Sequence, residues 1–130
     1  MTLLDRGFVA FAGVSGAVAV AAAAYGRHAL VGDPHAQELF RIAGDQQLWH
    51  ALALLALGLF NRRNQGAGAV ALRGAAGLFA TGTLLFCGTL YANALAVTLP
   101  IGMTAPLGGV AFIAGWLMVT VAALIGRWSA

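Results

Sequence analysis

Among the polar side chains within or at the edges of long apolar runs are His28, Gln46, Gln47, His50, Tyr91 and Asn93. A polar group at membrane depth is costly, so these are the residues to which function is assigned first. Gln46, Gln47 and His50 are three or four positions apart, so a helix would present them on one face. Three kinds of chemistry are open to such a layer. Its members could hydrogen-bond neighbouring helices and fix their packing. His28 and His50 could ligate a metal or haem iron through imidazole nitrogen. A quinone, a lipid head group or a small solute could sit in the layer, with His50 as donor or proton relay. A zinc site asks for three or four ligands, and no third is evident, so no metal and no cofactor are expected.

Catalysis finds little to work with. The two serines, Ser15 and Ser129, have no histidine near them in sequence. The acids Asp5, Asp33, Glu38 and Asp45 sit at the boundaries of apolar runs and do not pair on one intramembrane face. Gly66-Ala67-Gly68 has neither the preceding strand nor the later glycines of a phosphate-binding loop. Cys87 is alone, which rules out an internal disulfide, and its mid-helix place suits a buried thiol. The chain is expected to be no enzyme.

The elements that must hold these residues follow from composition. Of 130 residues, 61% are hydrophobic and 8% charged, with a mean hydropathy of +0.87. Soluble domains average about 25% charged residues, and a fold of this size has too much surface to hide so much apolar material from water. Lipid removes the difficulty. The net charge of +3 comes from seven arginines scattered between apolar runs. That pattern orients a membrane protein, and it argues against nucleic acid as a partner.

About 20 apolar residues in a helix cross the hydrocarbon. One uncharged run extends from Gly7 to Gly26. A second, shorter run from Leu48 to Phe60 is stopped by Asn61-Arg62-Arg63. Its helix is predicted to begin upstream, with Asp33 as cap and Pro34 in the first turn. His35 to Gly44 would then be an interfacial or partly buried segment, with a kink near Gly44. Gly74 to Gly126 carries no charge and is divided by Pro100-Ile101-Gly102 and Thr104-Ala105-Pro106. The expected architecture is a single all-α domain over residues 1–130. It is an antiparallel bundle of four transmembrane helices spanning about 7–26, 45–61, 74–99 and 106–126, with a short interfacial helical segment before the second span.

Arg6, Arg62, Arg63, Arg73 and Arg127 would collect on one side, against Arg27 and Arg41 on the other. Five against two places both termini in the cytoplasm. Arg127 and Trp128 would anchor the last helix at the interface. Arg62, Arg63 and Arg73, flanking a flexible Gly-rich loop, are expected to meet anionic lipid head groups. A cleaved signal peptide would need a more basic start than Arg6 alone and a shorter apolar run, so the first helix is taken as retained.

Small residues let helices approach closely in lipid. Gly13, Ala17 and Ala21 form such a stripe in the first helix. Gly77, Thr81, Gly88 and Ala92 do so in the third, and Ala111, Gly115, Ala122 and Gly126 in the fourth. These are the predicted packing positions. Some could face a second copy or another subunit. A conducting path is not expected, since little below His50 is polar.

Several segments resemble the bacterial domain-of-unknown-function family 423. They are Tyr25-Gly26-Arg27-His28-Ala29-Leu30, Trp49-His50-Ala51-Leu52-Ala53-Leu54, Leu85-Phe86-Cys87-Gly88-Thr89-Leu90-Tyr91, Thr104-Ala105-Pro106-Leu107-Gly108-Gly109 and Ala114-Gly115-Trp116. The eukaryotic transmembrane protein 256 group is similar. The resemblance implies a small multi-pass inner-membrane protein, implies no activity, and picks out His28 and His50. Arg27 and Cys87 depart from the small residue and the serine usual there. With the residues read above, the expectation is a non-enzymatic protein acting by association, as an accessory or assembly subunit beside other membrane subunits or its own copies. Small-molecule binding or transport through the outer polar layer is the alternative.

Overall fold

The computed structural model describes residues 1–128 and shows four helices and no strand among them. Ser129 lies outside the described residues. Helix α1 is Leu3–Ala29 and α2 is Pro34–Phe60, followed by a 3-10 turn at Asn61–Arg63. Helix α3 runs over Ala67–Ala94 with a π-helical segment, Thr83–Cys87, inside it. Helix α4 is Thr104–Ile125. By length and composition α1, α3 and α4 could each cross a membrane.

Local chemistry explains where these helices begin. The Thr2 side chain accepts from the Asp5 amide while Asp5 reaches back to the Thr2 amide, a reciprocal cap. Asp33 accepts from the Ala36 amide at 3.0 Å and Pro34 takes the first position, as the sequence indicates. α2 then continues unbroken through Gly44. Its opening turns are more deeply packed than an interfacial segment requires, with Ala36, Phe40 and Ala43 buried.

The boundaries of α3 differ from expectation. The helix starts at Ala67, seven residues before the predicted span, so the flexible loop contracts to Asn64–Gly66 beyond the 3-10 turn. Packing overrides the glycines here: Ala69 and Leu72 are buried, and Gly68 lies against the Gly126 backbone. At its far end the helix stops at Ala94. The Val97 amide bonds back to the Ala92 carbonyl and the Ala96 amide to that of Asn93, with Ala96 at φ 55°. This is the helix-ending left-handed turn usually marked by glycine, and alanine in that place conceals it from a sequence reading.

Two antiparallel hairpins make the bundle. α1 packs mainly on α2 and α3 mainly on α4, while α2 and α3 form the contact between the hairpins. Along the first hairpin Gly26 meets Phe40, Gly44 meets the Ala19 carbonyl, and Gly58 meets Val9. Along the second, Gly115 receives Phe79, Gly82 receives Phe112, and Gly108 lies against the Phe86 backbone. A Cβ at Gly115 would stand 2.5 Å from the Phe79 ring, so only glycine admits that ring.

The packing stripes are corrected accordingly. Gly115 is a packing residue, with Ala111 and Ala122 buried on the same helix. Gly13, Ala17 and Ala21 instead face away from the bundle, and nothing lies within 4 Å of a Cβ at Gly13. The buried face of α1 is Ala12, Ser15, Ala19 and Gly26, also small and about half a turn round the helix. An Ala/Gly-rich helix has small residues on every side, so spacing alone does not choose among them. Gly77 and Gly88 likewise have nothing within 4 Å of a Cβ. The buried face of α3 carries Leu72, Ala75, Ala76 and Phe79, and the π segment between Gly77 and Gly88 breaks the register that would align those two.

Candidate functional site

Three of the six polar side chains, Gln47, His50 and Tyr91, come together in the bundle in two pairs, with Trp116 as the fourth partner. His50 projects from α2 with about 4% of its surface exposed, so both ring nitrogens need partners. Nδ1 donates to the Gln46 carbonyl at 2.7 Å, which leaves Nε2 as acceptor for the Trp116 indole N–H of α4 at 3.1 Å. The ring stacks on Phe112, 3.6 Å between centroids and 10° from parallel, and Phe79 stands 5.1 Å away. One turn earlier, Gln47 is buried and its Oε1 accepts from the Tyr91 hydroxyl of α3 at 2.7 Å. Phe40 closes edge-on against Tyr91.

Each pair joins α2 to a helix of the other hairpin. Partners for His50 and Gln47 are supplied from within the chain, and a ligand on either would have to displace one. The remaining candidates do not join them. Gln46 contributes its backbone carbonyl and its side chain is half-buried; His28, at the end of α1, is exposed; Asn93 is exposed near the end of α3. No group of three His, Cys, Asp or Glu able to hold a metal occurs among the described residues. Cys87 is buried in the π segment, as its mid-helix position suggested.

Sequence reasoning missed three participants. Trp116 was read only as part of a motif, although an indole N–H in an apolar helix must find an acceptor. Phe112 and Phe79 carry no polar signal at all. Also missed is an ion pair at the opposite end of the bundle. Arg73 Nε and a terminal guanidinium nitrogen each donate to one oxygen of Asp5, both at 3.1 Å. Asp5 is about 1% exposed. Arg73 is therefore not a free contact for lipid head groups, because the earlier start of α3 places it over the α1 terminus. Arg62 and Arg63 stay exposed. Nearby, the Asn61 amide nitrogen donates to the Ala69 carbonyl at 3.0 Å and closes the turn between the hairpins.

Two open depressions lie at the end of the bundle opposite Asp5 and Arg73. One, of about 820 Å³, is bounded by His35, Asn93 and the Val97–Pro106 connection. The other, of about 610 Å³, is a cleft between α1 and α2. On its α2 wall Arg41 bonds both Glu38 oxygens, at 2.6 and 2.9 Å, and one Asp45 oxygen at 3.1 Å. The guanidinium holds the Glu38 carboxyl below its usual range.

Paired polar groups inside a helical bundle, with three helices of membrane-spanning length, define a small helical membrane protein. The chain belongs to the family described as "Protein of unknown function (DUF423)", which matches residues 22–109. It is 32% identical over 117 residues to a UPF0382 membrane protein of Staphylococcus aureus, covering 88% of this chain and 93% of the relative. It is 32% identical to the UPF0382 membrane protein YwdK of Bacillus subtilis, with 90% and 95% covered. Against the UPF0382 inner membrane protein YgdD of Escherichia coli the identity is 32%, with 94% and 92% covered. No solved structure matches the chain.

Proposed function

We propose that this protein is a non-enzymatic, four-span inner-membrane protein that acts by lateral association, as an accessory or assembly subunit. The observation that carries this reading is the outward face of α1. Gly13, Ala17 and Ala21 form a continuous strip without bulk, on a helix that gives only its opposite face to its own bundle. Close backbone approach is what small residues offer in lipid, and here the chain itself does not use the offer. The satisfied polar layer speaks in the same direction, since His50 and Gln47 serve the fold.

Four crossings are supported by the alignment of α2 with α1. Phe40, Gly44 and Gly58 of α2 face Gly26, Ala19 and Val9 of α1, so the two helices share one length of membrane. The charges of α2 are confined to Glu38, Arg41 and Asp45 near its start. Both termini then lie on one side, and the arginine excess of the Arg6, Arg62, Arg63, Arg73 and Arg127 end makes it the cytoplasm.

The test is capture of the full chain at native abundance in mild detergent, followed by native mass spectrometry, with Gly13→Leu and Ala17→Leu as variants. A stoichiometric protein partner that both substitutions release would support the reading. A wild-type chain that emerges alone would overturn it.

A further inference from the structure

The depression beside the Val97–Pro106 connection is lined by no Arg, Asp or Glu, although Arg27, Asp33 and Glu38 lie at the same end of the bundle. Its volume of about 820 Å³ falls in the range of roughly 300–1,000 Å³ usual for small-ligand sites. Two helices bring free hydrogen-bond donors to it. His35 in the first turn of α2 and Asn93 in the last turn of α3 both line it. Neither side chain bonds another group among the described residues. Deeper in, the Thr89 hydroxyl donates to the Leu85 carbonyl and the Thr104 hydroxyl to Thr89, at 2.7 Å, so both threonine hydrogens are engaged. Around the rim the connection exposes Val97, Leu99, Ile101 and Met103. A ligand suited to these walls is uncharged, carries hydrogen-bond acceptors and has an apolar body.

The spacing of the two donors narrows the class further. The Phe40 and Tyr91 rings meet edge-on, which sets those turns of α2 and α3 level. His35 is five residues before Phe40, about 7–8 Å further out, and Asn93 is two residues beyond Tyr91, about 3 Å further out. The donors are thus offset by about 4–5 Å along the bundle and separated across it by one interhelical spacing of about 8–10 Å. Side chains reaching into that gap from both walls leave room for one six-membered ring with an acceptor at each end. Gln37 donates to the Gly26 carbonyl at the end of the uncharged run of α1. By the same helix rise Thr89 lies about 7–8 Å inside that boundary. The depression therefore spans the level at which the polar head of an amphiphile meets its tail.

We propose that this depression binds the head group of a membrane quinone. One ring carbonyl accepts from His35 and the opposite one from Asn93, the ring covers apolar side chains of the connection, and the tail runs into the bilayer. A phospholipid head group would instead bring its phosphate to a depression that has no arginine to pair it. The chain supplies hydrogen bonds and apolar contact only, so the site holds the quinone without reducing it. No residue of the Gly13–Ala17–Ala21 strip lines the depression, so the site stands or falls independently of the association reading.

The experiment loads micelles of the full chain with equal amounts of a decyl-substituted benzoquinone and of decylbenzene, a matching ring and tail without the carbonyls. Retained mass is read by native mass spectrometry. One benzoquinone per chain should be retained about tenfold over decylbenzene, as two neutral hydrogen bonds allow. His35→Phe and Asn93→Leu should each cut that preference about threefold, and together erase it, with helical content unchanged by circular dichroism. His28 is exposed at the same end but does not line the depression, so His28→Phe should leave the preference intact. Equal retention of the two probes, a preference that survives the double substitution, or an equal loss on His28→Phe would each overturn the proposal.

Discussion

The two hairpins solve the same packing problem in different ways. In α3–α4 an aromatic ring enters a glycine notch at each level: Phe79 at Gly115, Phe112 at Gly82, and Phe86 beside Gly108. In α1–α2 close glycine contacts occur only toward the two ends, Gly26 at Phe40 and Gly58 at Val9; between them small residues such as Ala12, Ser15, Ala19 and Ala43 are buried, and a cleft opens beside them. Ring-in-notch contacts fill the length of α3–α4, and the depression of about 820 Å³ opens at its connecting loop. Flush contacts of small side chains leave a cleft along the helices themselves and a buried Ser15 hydroxyl without a partner among the described residues. The first hairpin is therefore the more loosely packed of the two along its helices.

Substituting a packed glycine of the second hairpin and an outward glycine of the first should give the largest difference. Gly115→Leu must displace Phe79, whose ring also lies 4.9 Å from Trp116 and 5.1 Å from His50. We expect destabilisation of about 3 kcal/mol or more, at the upper end for overpacking. Gly13→Leu, with nothing within 4 Å, should stay within about 0.5 kcal/mol. Unfolding by denaturing detergent, followed by circular dichroism, measures both. Equal effects would mean that Gly13 is packed as Gly115 is and that this face of α1 is not outward.

A smaller effect is expected where the first hairpin is tied to the second by charge. Arg73→Met leaves the Asp5 carboxylate, which is about 1% exposed, with only its Thr2 bonds. The loss should be about 2–3 kcal/mol, the range for hydrogen bonds to a charged group with some of the desolvation cost exposed. Asp5→Asn with Arg73→Met should recover part of it, because no unpaired charge then remains. If Arg73→Met costs nothing, the arginine serves the head groups after all.

How much of this was legible beforehand depends on whether a signal was local. Asp33-Pro34 announced the start of α2, and the runs of uncharged residues announced the helices, because capping and hydropathy act on neighbouring residues. Gln47, His50 and Tyr91 were legible as a polar layer, since each stands out against an apolar background. The choice of packing face was not. Ala12 and Gly13 differ by one position and almost nothing in chemistry, and only the partner helix decides which is buried. The π segment was equally silent, as Thr83–Cys87 contains no proline or glycine to mark it. Its effect is nonlocal: one added residue per turn rotates the end of α3 and shifts Tyr91 relative to Gly77.

The hydrogen bonds between the hairpins give the smallest effects and the sharpest reading of the polar layer. His50→Phe removes the acceptor of Trp116 and keeps a ring on Phe112; Trp116→Phe removes the donor and keeps the ring beside Phe79. Interhelical hydrogen bonds in membranes average about 0.6 kcal/mol and reach about 1.7. The double-mutant cycle should return a coupling in that range, below its top, because His50 is buried but Trp116 is half exposed. Gln47→Leu with Tyr91→Phe should couple at least as strongly, since Gln47 is also buried, Tyr91 is less exposed than Trp116, and their bond is the shorter at 2.7 Å. A coupling near zero for His50 and Trp116 would mean that the imidazole does not hold the hairpins together. The reading of His50 as a ligand-binding or proton-carrying group would then regain the ground that its engaged nitrogens take from it.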